Sequence, residues 1–240
     1  MPRHFGILIP STNTTCEIEF CRLPAELQVH TGRLGKGGNT PFSPSIDADV
    51  AYQAKLLGEA QVEVIALAQT SASLFTDDYD TVTVKRMTEA SGVPSLTSAQ
   101  AIGRALAALK ASRVAMATPY SEEVIGRARR YYETKYRIAV VASESLGAAN
   151  AYAIGKMDAG MAEAAFRRID RPDGPAFLES AAARGVAGEN RGACPRDCGL
   201  PGPRHRDHDW PGAPDESVSK RHRAHCWTLT SHFTAKHNER

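Results

Sequence analysis

The sequence predicts an α/β protein: a parallel sheet flanked by helices, followed by a segment too poor in aliphatics to extend it. Three observations predict this. Short apolar runs alternate with helical patterns long enough to serve as crossovers. The runs are continuously apolar, as strands buried on both faces require. Finally, aliphatic residues become scarce after residue 171: residues 1–171 hold 38 Ile, Leu, Val and Met, and residues 172–240 hold 5.

The elements follow in order. The first strand, 5–10, stops at Pro10 and runs into Ser11, Thr12, Asn13, Thr14 and Thr15 before a short helix. A weaker strand spans 27–34. "DADVAYQAKLLGEAQ" opens with an Asp cap and sets Val50, Ala54 and Leu57 on one helical face. A strand at 62–68 leads to "DDYDTVTVKRMTEASG", which ends on Gly92 as a C-cap. A strand at 93–97 precedes "SAQAIGRALAALKAS", with Ile102, Ala105, Leu106 and Leu109 on one face. The strand at 113–118 precedes "SEEVIGRARRYYETK", with Ser121 as cap and acids in the first turn, where the helix dipole favours them. A last strand lies at 137–142. A low-aliphatic tail covers 172–240.

The chain of 240 residues carries a net charge of only +2, so no nucleic-acid surface is expected. No run reaches the roughly 18–20 apolar residues of a membrane span, and the N-terminus lacks the features of a signal peptide. Five irregularly spaced cysteines suit reduced thiols and a cytoplasmic protein.

The tail holds 6 of the 8 His, 7 of the 14 Pro and 3 of the 5 Cys. A segment so poor in aliphatics cannot offset its ordering entropy. It reads as disordered, or as translation in a shifted frame. Cys194, Cys198, His205 and His208 raise the alternative of a zinc-binding tail, but the spacing is loose and no metal is expected. His4 and His30 read as structural, and Cys21 as helix packing.

The strand ends carry the chemistry. Ligands of parallel sheets bind beyond the carboxyl ends of strands. Here those ends are Ser11-Thr12-Asn13, then Gln69, Thr70, Ser71 and Ser73, then Thr97-Ser98, then Thr118-Pro119-Tyr120. Each precedes a helix start, whose free N–H groups attract anions. Neutral donors of this kind suit a small carboxylate. No phosphate loop is present, because "GRLGKGG" lacks the Walker spacing. The competing reading is that these side chains only cap helices.

"GILIPSTNTTCEIE" resembles the opening of maleate cis–trans isomerases, while "ALAQTSASLF" and "RVAMATPYSEEV" resemble segments of arylmalonate decarboxylase. "SESLG", with the helix and "MD" after it, also fits. These belong to the aspartate/glutamate racemase superfamily, and the resemblance covers about residues 4–170. It implies a racemase-like architecture of two similar α/β lobes with the active site between them, here a first lobe over 1–110 and the start of an incomplete or degenerate second lobe over 111–171. It also implies no metal or organic cofactor, and isomerase or decarboxylase (lyase) chemistry through an enediolate-like intermediate. By the same resemblance Asn13 would hold a substrate carboxylate, Thr70 and Ser71 would line its hole, and Tyr120 would donate to it. Ser11 and Thr12 would share the loop.

Two departures accompany the match. Gln69 stands where racemases and maleate isomerases carry a cysteine, which favours decarboxylase-like over two-base chemistry. The second cysteine of the family, in a "SCGG"-like loop, is not found, and no strand is expected after residue 171. Cys16, in the first turn of a helix, is the one substitute nucleophile, weighed against plain packing. The expected ligand is a small carboxylate or dicarboxylate, either turned over or, as the alternative, bound without turnover. A homo-oligomer is left open.

Overall fold

The computed structural model describes residues 2–170 and the backbone of Ala176–Leu178. Two parallel sheets form. The first contains β1 (Arg3–Pro10), β2 (Leu27–Leu34), β3 (Ile65–Leu67) and β4 (Ser95–Thr97), in the order β2-β1-β3-β4. The second contains β5 (Arg113–Thr118), β6 (Ala139–Ser145) and β7 (Ala176–Leu178), in the order β6-β5-β7. Both sheets therefore start with a strand that takes its successor on one side and the next strand on the other. A crevice opens at the carboxyl end of such a switch point.

β7 is a correction to the sequence reading, which placed no strand after residue 171. Its backbone pairs with β5 at Ala115↔Ala176, Met116↔Phe177 and Ala117↔Leu178. Three residues are too short a run for periodicity to declare them; the neighbouring strand selects them. The readings placed on the rest of the tail, including the zinc alternative, lie outside the described residues.

The middle of β1 is deeply buried: Ile7, Leu8 and Ile9 are all fully inaccessible. On one side Leu8, Ile65 and Leu67 pack against α2 (Asp47–Glu59) and α3 (Tyr79–Ser91) through Val50, Ala54, Leu57 and Met87. On the other, Ile7 and Ile9 pack with Cys16 and Phe20 of α1 (Cys16–Phe20). The second sheet sends Val114 and Met116 into a large core built by α4 (Ser98–Ala108) and α5 (Glu122–Tyr136), with Phe42 and Leu74. Its other face is thin: Ala115 and Ala117 meet Ala165 and Ile169 of α7 (Ala159–Ile169).

Helix ends mostly follow local chemistry. Gly92 takes a left-handed C-cap with φ of 75°, and its N–H reaches Thr88 O. Thr97 and Gln100 form a capping box at the start of α4. Ser121 stands at the N-cap of α5 without a side-chain bond. α2 is capped differently from expectation: Ile46 holds the cap position, Asp47 lies in the first turn, and Asp49 accepts from Gly35 N at 2.7 Å. The loop before the helix, not the cap, claims the carboxylate. Leu109 is about half exposed rather than on the buried face, and Cys21 is exposed at the end of α1.

Candidate functional site

The loop after β1 is folded by its own polar groups. Asn13 Oδ1 accepts from Thr15 N at 3.0 Å and Cys16 N at 2.9 Å, and Asn13 Nδ2 donates to Cys16 Sγ at 3.3 Å. Asn13 thus tightens the entry to α1, which is the capping role. Ser11 and Thr12 are exposed at the tip. Arg33, near the end of β2, donates to Ser11 O at 3.2 Å and Asn13 O at 3.1 Å and pairs with Glu17. One guanidinium therefore gathers two loop carbonyls, for which its planar fork is suited. Cys16 is buried among Ile7, Ile9 and their neighbours, in a packing environment.

The neighbouring loop, after β3, begins with Gln69. Its carbonyl accepts from Ser45 N at 3.2 Å and Ser45 Oγ at 2.9 Å, and its amide donates to Ser43 O at 2.9 Å. Gln69 thus clamps the 35–46 segment between β2 and α2. A one-turn 3-10 helix, Thr70–Leu74, follows. Thr70 Oγ1 and Ser98 Oγ lie 2.8 Å apart, which ties the end of β3 to the start of α4. Ser71 is buried, and so is Ser73, whose hydroxyl has no partner among the described residues.

The end of β5 brings in the second lobe. Thr118 Oγ1 accepts from Tyr120 N at 3.1 Å, and Ser145 Oγ donates to Tyr120 O at 2.6 Å. The buried Tyr120 ring meets Phe42 edge-on, with centroids 5.1 Å apart. Gln69 holds the Phe42 segment, and Phe42 holds Tyr120, so the two lobes are linked behind the strand ends. They touch again at the front. A Cβ on Gly155, just after the short helix α6 (Ala151–Ile154), would lie 2.1 Å from Thr14 Oγ1. Only a glycine permits that approach without moving Thr14.

Ser11, Thr12 and Asn13 therefore follow β1, and Gln69, Thr70 and Ser71 follow the adjacent β3, while Tyr120 packs on Phe42 of the segment that Gln69 holds. The sequence reading missed Arg33, Phe42, Ser43 and Ser45. One signal could have found the last three: a twelve-residue connection, 35–46, is long for such a fold, and long ordered loops are usually functional. Two shallow cavities flank the junction. One of about 80 Å³ lies between Phe42, Phe75 and Arg127, and one of about 320 Å³ is lined by Ser73, Phe75, Arg130 and Tyr131. Among the described residues, no group of three or more His, Cys, Asp or Glu could hold a metal ion, and no helix is long and apolar enough to cross a membrane.

Two parallel α/β sheets arranged in this way are the architecture of the aspartate/glutamate racemase superfamily. The sequence profile of arylmalonate decarboxylase matches residues 6–180, and the chain belongs to that family. It is 26% identical over 155 residues to arylmalonate decarboxylase of Bordetella bronchiseptica, and the match spans 64% of each chain's length. A variant of the maleate isomerase of Pseudomonas putida S16, with maleate, superposes with a TM-score of 0.63 at 21% identity, covering 76% of this chain and 79% of that one. Unliganded arylmalonate decarboxylase gives 0.58 at 21% identity, over 78% and 91%. Maleate cis-trans isomerase of Nocardia farcinica, bound to TRIS, gives 0.60 at 24% identity, over 70% and 73%.

Proposed function

We propose that this chain binds a small carboxylic or dicarboxylic acid at the ends of β1, β3 and β5 and stabilises an enediolate-like form of it, without a cofactor. The supporting observation is the row of hydroxyl and amide donors at the ends of adjacent parallel strands, in a member of the arylmalonate decarboxylase family. Fixed neutral donors aimed at developing negative charge need no reorganisation during reaction. In this reading Ser11, Thr12 and Asn13 meet one carboxylate, Thr70 and Ser71 line its hole, and Tyr120 donates from the second lobe. A cytoplasmic location and self-association belong to the same reading.

Decarboxylation or isomerisation also needs a group to deliver or remove a proton. Gln69 has no acid–base capacity, and its amide is committed to Ser43 and Ser45. The described cysteines are buried Cys16 and exposed Cys21. This favours a second reading, a carboxylate-binding protein without turnover. Calorimetry with maleate and with phenylmalonate, alongside turnover assays, separates the two. The expected result is weak binding of a dicarboxylate with turnover below detection. Asn13→Ala should weaken binding by about 1–3 kcal/mol, because it removes a polar partner and loosens the loop. Absence of binding to any dicarboxylate, or unchanged affinity in Asn13→Ala, removes the assignment.

A further inference from the structure

Asp80 is a carboxylate buried to 2% exposure at the meeting of three helices, and no role in the site accounts for it. A buried charge persists only where donors compensate it. Asp80 has three. Thr97 Oγ1 donates to Oδ1 at 2.9 Å, and Tyr131 Oη and Lys135 Nζ donate to Oδ2, the latter at 3.0 Å. Burial, and then the bond to Asp80, raise the Tyr131 phenol above its ordinary range, which keeps it a donor. Lys135 also lies over the Tyr131 ring, 4.6 Å from its centroid.

The donors come from both lobes. Thr97 is the last residue of β4, and the next residue, Ser98, carries the hydroxyl bonded to Thr70. Tyr131 and Lys135 lie on α5, which starts directly after Tyr120 and Ser121. α5 is one continuous helix, and Tyr131 is about 15 Å along it from Ser121 at 1.5 Å per residue. Fixing Tyr131 therefore fixes the line along which the helix leaves Tyr120.

We infer that Asp80 is a positioning residue: an ionic clasp between the lobes that sets the distance between the Thr70–Ser98 hydroxyl pair and Tyr120, and so tunes the site for a carboxylate. The inference rests on the proposed carboxylate-binding function. It differs from helix capping, because the side chain spends all its bonds outside its own helix.

Titration of the full chain with maleate, combined with amide hydrogen exchange, tests this. Asp80→Asn and Tyr131→Phe should each weaken maleate binding about tenfold. Exchange should rise at residues 97–100 and 121–125 but stay slow in β1 and β3. Thr97→Ser keeps the hydroxyl and should keep wild-type affinity, while Thr97→Val should lose it. A purely structural role would speed exchange across the first sheet as well. That result, or wild-type affinity in Asp80→Asn, overturns the inference. If the wild-type chain binds no dicarboxylate, the functional reading falls instead, and the exchange arm alone decides the clasp: unchanged exchange at 97–100 and 121–125 in Asp80→Asn rejects it.

Discussion

The two sheets begin with the same strand arrangement and differ in how they finish it. In the first, β1 lies between β2 and β3; in the second, β5 lies between β6 and β7. β1 is covered on both faces by bulky side chains, whereas β5 is bulky on one face only and meets α7 through Ala115 and Ala117. The first sheet also continues to β4. The comparison teaches that the second lobe is not held by its own sheet. Its main core is shared with α4, Phe42 and Leu74, which arrive before β5 in the chain.

The largest expected effect lies after the third strand of each sheet. Gln69 stands two residues beyond β3, and Ser180 stands two residues beyond β7. In a frame starting at the last base of the Ser180 codon, Ser180-Ala181-Ala182-Ala183 spells Cys-Gly-Gly when that base is T and the codons of Ala181 and Ala182 end in G. The coding DNA should show those bases. A gene corrected to that frame should gain turnover of an arylmalonate or of maleate. Other bases there would falsify the shifted-frame reading of this segment.

Next in size are core truncations. Tyr132, fully buried in the shared core, should cost about 3–5 kcal/mol as Tyr132→Ala and lower both lobes in one urea transition. Ile169→Ala, on the thin face of the second sheet, should cost less than that, because fewer neighbours lose contact. Two separate transitions in the wild-type chain would break the claim of a shared core.

Two glycines sharpen the comparison of helix environments. A Cβ on Gly58 of α2 would lie 2.2 Å from Ser91 O, where α2 packs on the end of α3. Gly58→Ala should destabilise by about 1–3 kcal/mol despite its better helix propensity. Gly126 of α5 has nothing within 4 Å of the same position. Gly126→Ala should stabilise by about 0.5–1 kcal/mol. Denaturant midpoints of the two variants should therefore move in opposite directions.

The smallest effect is alkaline. Burial pushes the Tyr79 phenol, on α3, from 10.0 up to about 12. The folded chain then holds that proton more tightly than the unfolded chain. The contribution is complete below pH 10 and is lost as pH rises toward about 12. Tyr79→Phe should flatten this part of the stability profile. An unchanged profile would assign the alkaline loss to other tyrosines, such as Tyr131 and Tyr136.

Much of this was legible in the sequence. The Ile7–Ile9 run, the Gly92 stop, the Thr97–Ser98 helix start and the strand-end donors are local signals, and the parallel sheets and flanking helices follow from them; the family came instead from the resemblance of "GILIPSTNTTCEIE" and its companion segments. Local patterning determines them because apolar periodicity and helix-end chemistry act over a few residues. Only the tertiary structure decided which polar groups meet. Nothing in the sequence singled out Asp80, because its partners lie 17, 51 and 55 residues away. Gln69 looked like a vacancy in a catalytic position, yet it clamps Ser43 and Ser45 from across the sheet. Short β7 exists because β5 offers it an unpaired edge. Such contacts depend on which chain segments the sheets bring together, and a side chain's own neighbours in sequence carry no record of that.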